Sequence, residues 1–201
     1  MSALLTWSRK DAAEALGTFV LALAVALSIA AESSITPLIA AITVGLFVYT
    51  IGPISGCHLN PAVTVGLLSV RKIDPQSALR YIIAQCAGAL VALLLVWAAT
   101  GMRLVTPADS VPMVGLAEML GAFILVFGIT AVVLGGIHAA ASGLVIGGSL
   151  LLGILLAGHW SNGLLNPSVA LAVGSLNVFY VLGPLIGGIL GAQCAVWLLK
   201  K

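Results

Sequence analysis

Two Asn-Pro pairs interrupt an otherwise apolar chain: Asn60-Pro61 within "SGCHLNPAVT" and Asn166-Pro167 within "LLNPSVALAVG". The pairing suits a helix start. Asn is a favoured N-cap, and Pro is favoured at the first helical position, where its missing N–H costs nothing. An Asn cap also has something that Ser or Asp lacks: with its carbonyl oxygen on a backbone N–H, it still carries two amide protons. Ala62 and Ser168 complete the two boxes. Two such caps set back to back would offer donors to whatever passes between them. Both helix dipoles would also aim their positive ends at that spot, which repels cations. This is chemistry for passing a neutral, hydrogen-bonding solute, not for making bonds. No Ser–His or HExxH arrangement points to an enzyme, so no catalytic residue, metal site or cofactor is expected.

Each Asn-Pro opens a stretch too short to span a bilayer, 60–69 and 166–175. Ten helical residues extend about 15 Å, and two such stretches end to end about 30 Å, the thickness of the hydrocarbon core. Two re-entrant half-helices, entering from opposite faces and meeting at their N-termini, would complete one crossing. The residues before each Asn, "SGCH" (55–58) and "NGLL" (162–165), must then run as extended backbone at membrane depth. Such backbone survives only against protein or a water-filled passage. The carbonyls of Gly56, Cys57, His58, Asn162 and Leu164 are expected to line that passage as acceptors, His58 acting through its backbone. The thiol of Cys57 beside it makes mercury sensitivity an expectation.

The composition demands a membrane. Of 201 residues, 61% are hydrophobic and 7% charged, with a mean hydropathy of +1.22. A soluble domain carries about 25% charged residues, so this chain cannot clothe a water-facing surface. A net charge of +2 without a basic run gives nucleic acid nothing to bind. Cys57, Cys86 and Cys194 are odd in number and widely spaced, which argues against a disulfide framework or a CxxC site. The start, "MSALLTWSRKDAAEALG", lacks the order of a cleavable signal peptide, so the first span is expected to stay in the mature protein. Apolar runs near the 20 residues of a spanning helix fall at 12–30, 37–54, 78–100, 113–134, 142–158 and 178–199. Short loops join these six spans, and one domain over 1–201 is expected. Lys and Arg favour the cytoplasmic side. With both termini there, Arg9, Lys10, Arg71, Lys72, Arg80, Lys200 and Lys201 fall inside and Arg103 alone outside; the plasma (inner) membrane is the expected location.

The halves repeat. "AEALGTFVL" (13–21) matches "AEMLGAFIL" (117–125), "HLNPAV" (58–63) matches "LLNPSV" (164–169), and "YIIAQCAGALVA" (81–92) is echoed by "YVLGPLIGGILG" (180–191). With three spans in each half, about 1–105 and 106–201, the copies must lie in opposite orientations. Such an inverted repeat has its function at the midplane between halves. The fold class is therefore all-α integral membrane, six transmembrane helices plus two re-entrant half-helices. Glu14 and Glu118 fall in matched positions of the first and fourth spans. Intramembrane acids are functional by default, and proton coupling is one reading. The matching favours the other: each accepts hydrogen bonds from the re-entrant loop of its own half. Gln85 reads as a further loop-holding or packing group. "GPLIGGILGA" (183–192) reads as close helix packing, and His159 and Trp160 as an interfacial aromatic anchor.

These motifs resemble the aquaporin (major intrinsic protein) family across essentially the whole chain. "SGCHLNPAVT" is similar to its first signature, and "NPS" resembles a variant of its second Asn-Pro-Ala box. The resemblance implies a right-handed bundle and a homotetramer with a pore in every subunit. It also implies a four-residue filter, here at Ala40, Ile154, Gly163 and Val169. Water-selective relatives hold an aromatic, a His, a small residue and an Arg at these places. Val169 in place of Arg implies a wider, apolar aperture, resembling metalloid-permeable members. The expected function is a passive channel for small neutral solutes, arsenous acid foremost, then boric acid or glycerol and water. Protons are expected to stay largely excluded by the half-helix dipoles. Alternatives are a plain water (or ammonia or gas) channel and, less favoured, a coupled secondary transporter, which saturable or uphill flux would reveal.

Overall fold

The structure, a computed structural model, describes residues 7–101 and 110–199; Arg103, Lys200 and Lys201 lie outside the described residues. Every regular element among them is helical: α1 (Arg9–Ala30), α2 (Thr36–Thr50), the single turn α3 (Gly52–Ser55), α4 (Pro61–Ser69), α5 (Pro75–Thr100), α6 (Pro112–Val133), α7 (Ser142–Ala157), α8 (Pro167–Ala172) and α9 (Val178–Leu199). Ser8 opens α1 with a capping box, its side chain accepting from the Asp11 N–H while the Asp11 carboxylate accepts from the Ser8 N–H. Proline sets the first turn of α2, α4, α5, α6 and α8, the place where it fits a helix best.

Among the described residues five helices are long and apolar enough to cross a bilayer, α7 counting with the 3₁₀ turn at Ala139–Ala141 before it; α2, of 15 residues, is shorter. The sequence suggested a continuous span to residue 54. Pro53 stops it: it has no N–H for the Tyr49 carbonyl, and its ring would clash there. The chain pauses at Ile51 and restarts as α3. The second half-helix is also shorter than the stretch 166–175 suggested, ending at Ala172. Gly174 turns left-handed (φ 72°), and the Ser175 N–H bonds back to the Ala170 carbonyl at 2.9 Å. α4 closes with the same device, Arg71 at φ 59° and Lys72 N–H to Leu67 O at 2.9 Å. With 9 and 6 residues, the half-helices end to end extend about 22 Å, less than the roughly 30 Å of the bilayer core.

α1 packs along α5, α6 along α9 and α2 along α7. Glycine makes the first two approaches close: a Cβ at Gly88 would strike the Ala15 carbonyl, and one at Gly187 the Met119 carbonyl. The half-helices cross over. α4, from the first half, lies against α9 of the second, and α8 lies against α5 of the first. The outward surface is apolar too, with Leu144 76% and Trp197 80% exposed, as befits helices whose outer face meets lipid.

Candidate functional site

Each re-entrant loop hangs on one buried carboxylate. Glu14 Oε1 accepts from Ser55 Oγ (2.7 Å) and His58 N (2.9 Å); its Oε2 accepts from Leu59 N (2.7 Å) and Gln85 Nε2 (2.8 Å). Glu118 repeats the scheme: Oε1 accepts from Ser161 Oγ (2.7 Å) and Leu164 N (3.0 Å), Oε2 from Leu165 N (2.6 Å). Both carboxylates are fully buried, and an acid at that depth is tolerable only with such donors around it.

Gathering successive N–H groups onto one anion requires backbone that is not extended. Gly56, Cys57 and Leu59 in the first loop, and Gly163 and Leu165 in the second, have φ between 51° and 89°. The extended course inferred for 55–58 and 162–165 is corrected accordingly: left-handed residues interleaved with ordinary ones form a nest of N–H groups around the acid. For Leu59 and Leu165 that conformation costs on the order of 1–2 kcal/mol each, offset by the charge-assisted bonds. At Gly163 a side chain is doubly disfavoured, by φ 60° and by the Ile154 carbonyl 2.9 Å from where its Cβ would sit.

Beyond each nest stands the Asn cap. Asn60 Oδ1 accepts from Ala62 N at 2.8 Å, and Asn166 Oδ1 from Ser168 N at 3.0 Å and Val169 N at 3.4 Å. The amides reach across the repeat: Asn60 Nδ2 donates to Leu165 O, and Asn166 Nδ2 to Leu59 O, both at 2.9 Å. One of the two amide protons anticipated as spare is therefore used on each side to stitch the halves together, and one remains.

A cavity of about 210 Å³ runs from this junction to the end of the bundle where α1 gives way to α2. Asn60, Asn166, Cys57, His58, Asn162, Leu164, Ala40, Ile154, Gly163 and Val169 all line it. Pro61, Ala62, Pro167 and Ser168 are buried in the first helical turns behind the Asn pair, with Ser168 Oγ 3.7 Å from Cys86 Sγ. Gly56 lines instead a second cavity of about 370 Å³, which opens beside Lys10 and Lys72. The carbonyls of Cys57, His58, Gly163 and Leu164 accept no hydrogen bond from other described residues.

Sequence reasoning missed several supports. Ser55 and Ser161, five residues before each Asn, relay between acid and loop, accepting from Cys57 N (3.1 Å) and Gly163 N (3.0 Å). Tyr81 donates to Ser55 O at 2.8 Å, and the Tyr180 hydroxyl accepts from Asn162 N at 2.9 Å. Ser55 and Ser161 each stand three residues before the repeated 58–63 and 164–169, and Tyr81 and Tyr180 open the repeated 81–92 and 180–191; that register is the signal the sequence offers. The sequence assigns His58 a backbone role; in the structure His58 lines both cavities, and its ring Nε2 lies beside Gly56 of the second.

The Major intrinsic protein family profile matches residues 2–195. Glycerol uptake facilitator protein-like 6 of Lactiplantibacillus plantarum is 35% identical over 210 aligned positions, covering 93% of this chain and 96% of its own. Aquaporin AqpM of Methanothermobacter thermautotrophicus is 32% identical over 168 positions, 72% of this chain and 68% of its own. The X-ray structure of the aquaglyceroporin from Plasmodium falciparum aligns with a TM-score of 0.77 at 25% identity, covering 96% of this chain and 95% of that one. A repeat stitched at its caps, a buried passage and a match over nearly the whole chain agree: this protein belongs to the major intrinsic protein family, as a multi-pass membrane channel of the aquaporin type and not an enzyme.

Proposed function

We propose that this aquaporin-type channel for water and small solutes conducts uncharged polyhydroxy molecules, arsenous acid foremost and glycerol after it, through an apolar aperture at Ala40, Ile154, Gly163 and Val169. One observation carries the reading: among the described residues lining the 210 Å³ cavity there is no Asp, Glu, Lys or Arg. A guanidinium at position 169 would narrow the aperture and supply donors that replace lost hydration. Valine does neither, leaving room for a larger solute whose carbon or arsenic skeleton tolerates apolar walls. The hydroxyls of such a solute are met further on, by amide donors at Asn60 and Asn166 and by the loop carbonyls. Glu14 and Glu118 act as loop supports, their oxygens occupied by donors.

Both termini are assigned to the cytoplasmic side of the plasma (inner) membrane, supported by Arg9, Lys10, Arg71, Lys72 and Arg80 in the segments that start α1, follow α4 and start α5. Both halves together form one channel unit, and the unit assembles as a homotetramer with a passage in each subunit.

Stopped-flow light scattering on proteoliposomes, comparing water, glycerol and arsenous acid, tests the reading. All three are expected to pass. Val169→Arg is expected to cut glycerol and arsenous acid flux about tenfold, a barrier rise of about 1.4 kcal/mol, and water flux less. Fast water with neither larger solute would leave a plain water channel in its place.

A further inference from the structure

His58 is the one described residue that lines both cavities. Its imidazole is buried, edge-on to Tyr81 with ring centroids 5.1 Å apart. Nδ1 lies 3.1 Å from Thr64 Oγ1. Nε2 makes no hydrogen bond to a described residue and sits beside Gly56. A solute passing from one cavity to the other passes His58, and which ring nitrogen carries the proton decides whether Nε2 offers it a donor or an acceptor.

The surroundings of Thr64 decide that question. Gln85 Nε2 lies 2.8 Å from Glu14 Oε2 and 3.0 Å from Thr64 Oγ1. A carboxylate only accepts, so the atom facing it is the amide nitrogen, which then also donates to Thr64. On its other side Thr64 Oγ1 lies 3.1 Å from the Asn60 carbonyl, which only accepts. The hydroxyl has one proton, and the carbonyl takes it. The third neighbour, His58 Nδ1, must then donate. The opposite arrangement, with Thr64 donating to Nδ1, forfeits the bond to Asn60.

We infer that Thr64, oriented by Gln85, holds His58 as the Nδ1–H tautomer, so that Nε2 presents a bare acceptor at the link between the cavities. His58 is thereby a specificity-determining residue, with Thr64 and Gln85 as positioning residues. A hydroxyl solute donates at His58 and accepts at the Asn60 and Asn166 amides. A neutral solute of similar size with acceptors only, such as dimethyl sulfoxide, faces a lone pair it cannot satisfy. No such tuning exists in the second half, where Leu164, Ala170 and Pro184 hold the places of His58, Thr64 and Gln85 in the repeated blocks.

The inference rests on the passage being the solute route, but its first test does not depend on which solute passes. The chain has three histidines; His138→Gln with His159→Gln leaves His58 alone. Solid-state NMR of this ¹⁵N-histidine-labelled channel in liposomes at neutral pH is expected to show Nδ1 protonated and Nε2 bare. A neutral hydrogen bond is worth roughly a fivefold bias between tautomers; Thr64→Val is expected to abolish it and Thr64→Ser to keep it. A majority of Nε2–H in the parent channel overturns the inference, whether or not the valine variant folds. So does an unchanged Nδ1–H in Thr64→Val. In flux, Thr64→Val is expected to lower the glycerol-to-dimethyl-sulfoxide ratio roughly fivefold, one hydrogen bond's worth, and an unchanged ratio overturns the selectivity role. If glycerol does not pass at all, the aperture reading fails while the nitrogen spectrum still decides the tautomer.

Discussion

The two re-entrant loops are built to one plan and finished differently. In both, a serine five residues before the Asn and two loop N–H groups converge on a buried glutamate, and in both the cap amide is tied to the opposite loop. The first loop adds a polar layer behind the nest: Gln85 donates to Glu14 and Thr64, and Thr64 meets His58. The second has no counterpart to that layer. Its loop is steadied from the flank, where Asn162 contacts Tyr180 and, through Nδ2, Ser175 at 3.2 Å. Duplication thus fixed what the junction needs, a carboxylate and a cap on each side. What differs is the support behind each loop, a buried polar layer for the first and a flank contact for the second.

The largest consequence falls on the acids. Glu14 receives four donors and Glu118 three. Replacing either with Ala strands those donors in the interior, at about 1–3 kcal/mol for each unsatisfied group, and neither variant is expected to give folded protein. The gentler Glu14→Gln and Glu118→Gln keep one acceptor oxygen and turn the other into a donor facing donors. The midpoint of thermal unfolding in detergent is expected to fall in both, further for Glu14→Gln because Gln85 also loses its partner. Equal losses would mean that the extra layer contributes nothing to holding the first loop.

A smaller effect tests the sameness of the halves. Gly88 lets α5 touch α1 as Gly187 lets α9 touch α6, each against a backbone carbonyl that cannot move alone. Gly88→Ala and Gly187→Ala are each expected to cost about 1–3 kcal/mol, the range for forcing an extra methyl into a packed core. Comparable drops in unfolding midpoint support the duplicated contact. A drop in only one would show that the helix pairs pack by different rules despite matching residues.

Much of this plan was legible because it is periodic or repeated. Spans read from hydropathy, half-helices from Asn-Pro, and the acids from matching positions all depend on residues that keep their type whatever they touch. What stayed hidden depends on direction. Nothing in "SGCHLNP" says that Cys57 and Leu59 turn left-handed, because that conformation is imposed by a glutamate 45 residues earlier in the chain. Nor could the string show that one amide proton of each Asn is taken by the far loop, since the acceptors, Leu59 and Leu165, are carbonyls that every residue possesses. The ring of His58 escapes the sequence for a similar reason: its partner Thr64 lies six residues on, beyond the Asn60 cap in the first turn of α4. The end of α2 turns on Pro53, which ends that helix although Pro184 only interrupts the bonding of α9, a difference that an interior proline alone does not announce.

The smallest predicted difference lies at the water-facing starts of the third span of each half. Asp74 caps α5, accepting from Ser77 N at 2.9 Å, and Asn177 serves α9, its Oδ1 accepting from Phe179 N at 2.9 Å and Tyr180 N at 3.3 Å. One cap is charged and the other is not. Donation from the Ser77 side chain, then from its backbone N–H, holds the Asp74 carboxyl below its ordinary value of 3.8. A depressed carboxylate contributes its stabilisation in full above the ordinary value and loses it as pH falls through the folded one. Asp74→Ala is therefore expected to lower the unfolding midpoint slightly at pH 7, and that deficit should shrink once the pH drops below 3.8. Asn177→Ala removes a neutral cap, whose worth is typically about 1 kcal/mol, so its deficit should hold steady over the same range. Scanning calorimetry of both variants beside the parent channel at neutral and acid pH checks the pair. A deficit at Asp74 that ignores pH would mean that the aspartate caps through geometry alone, and the two helix starts would then be equivalent after all.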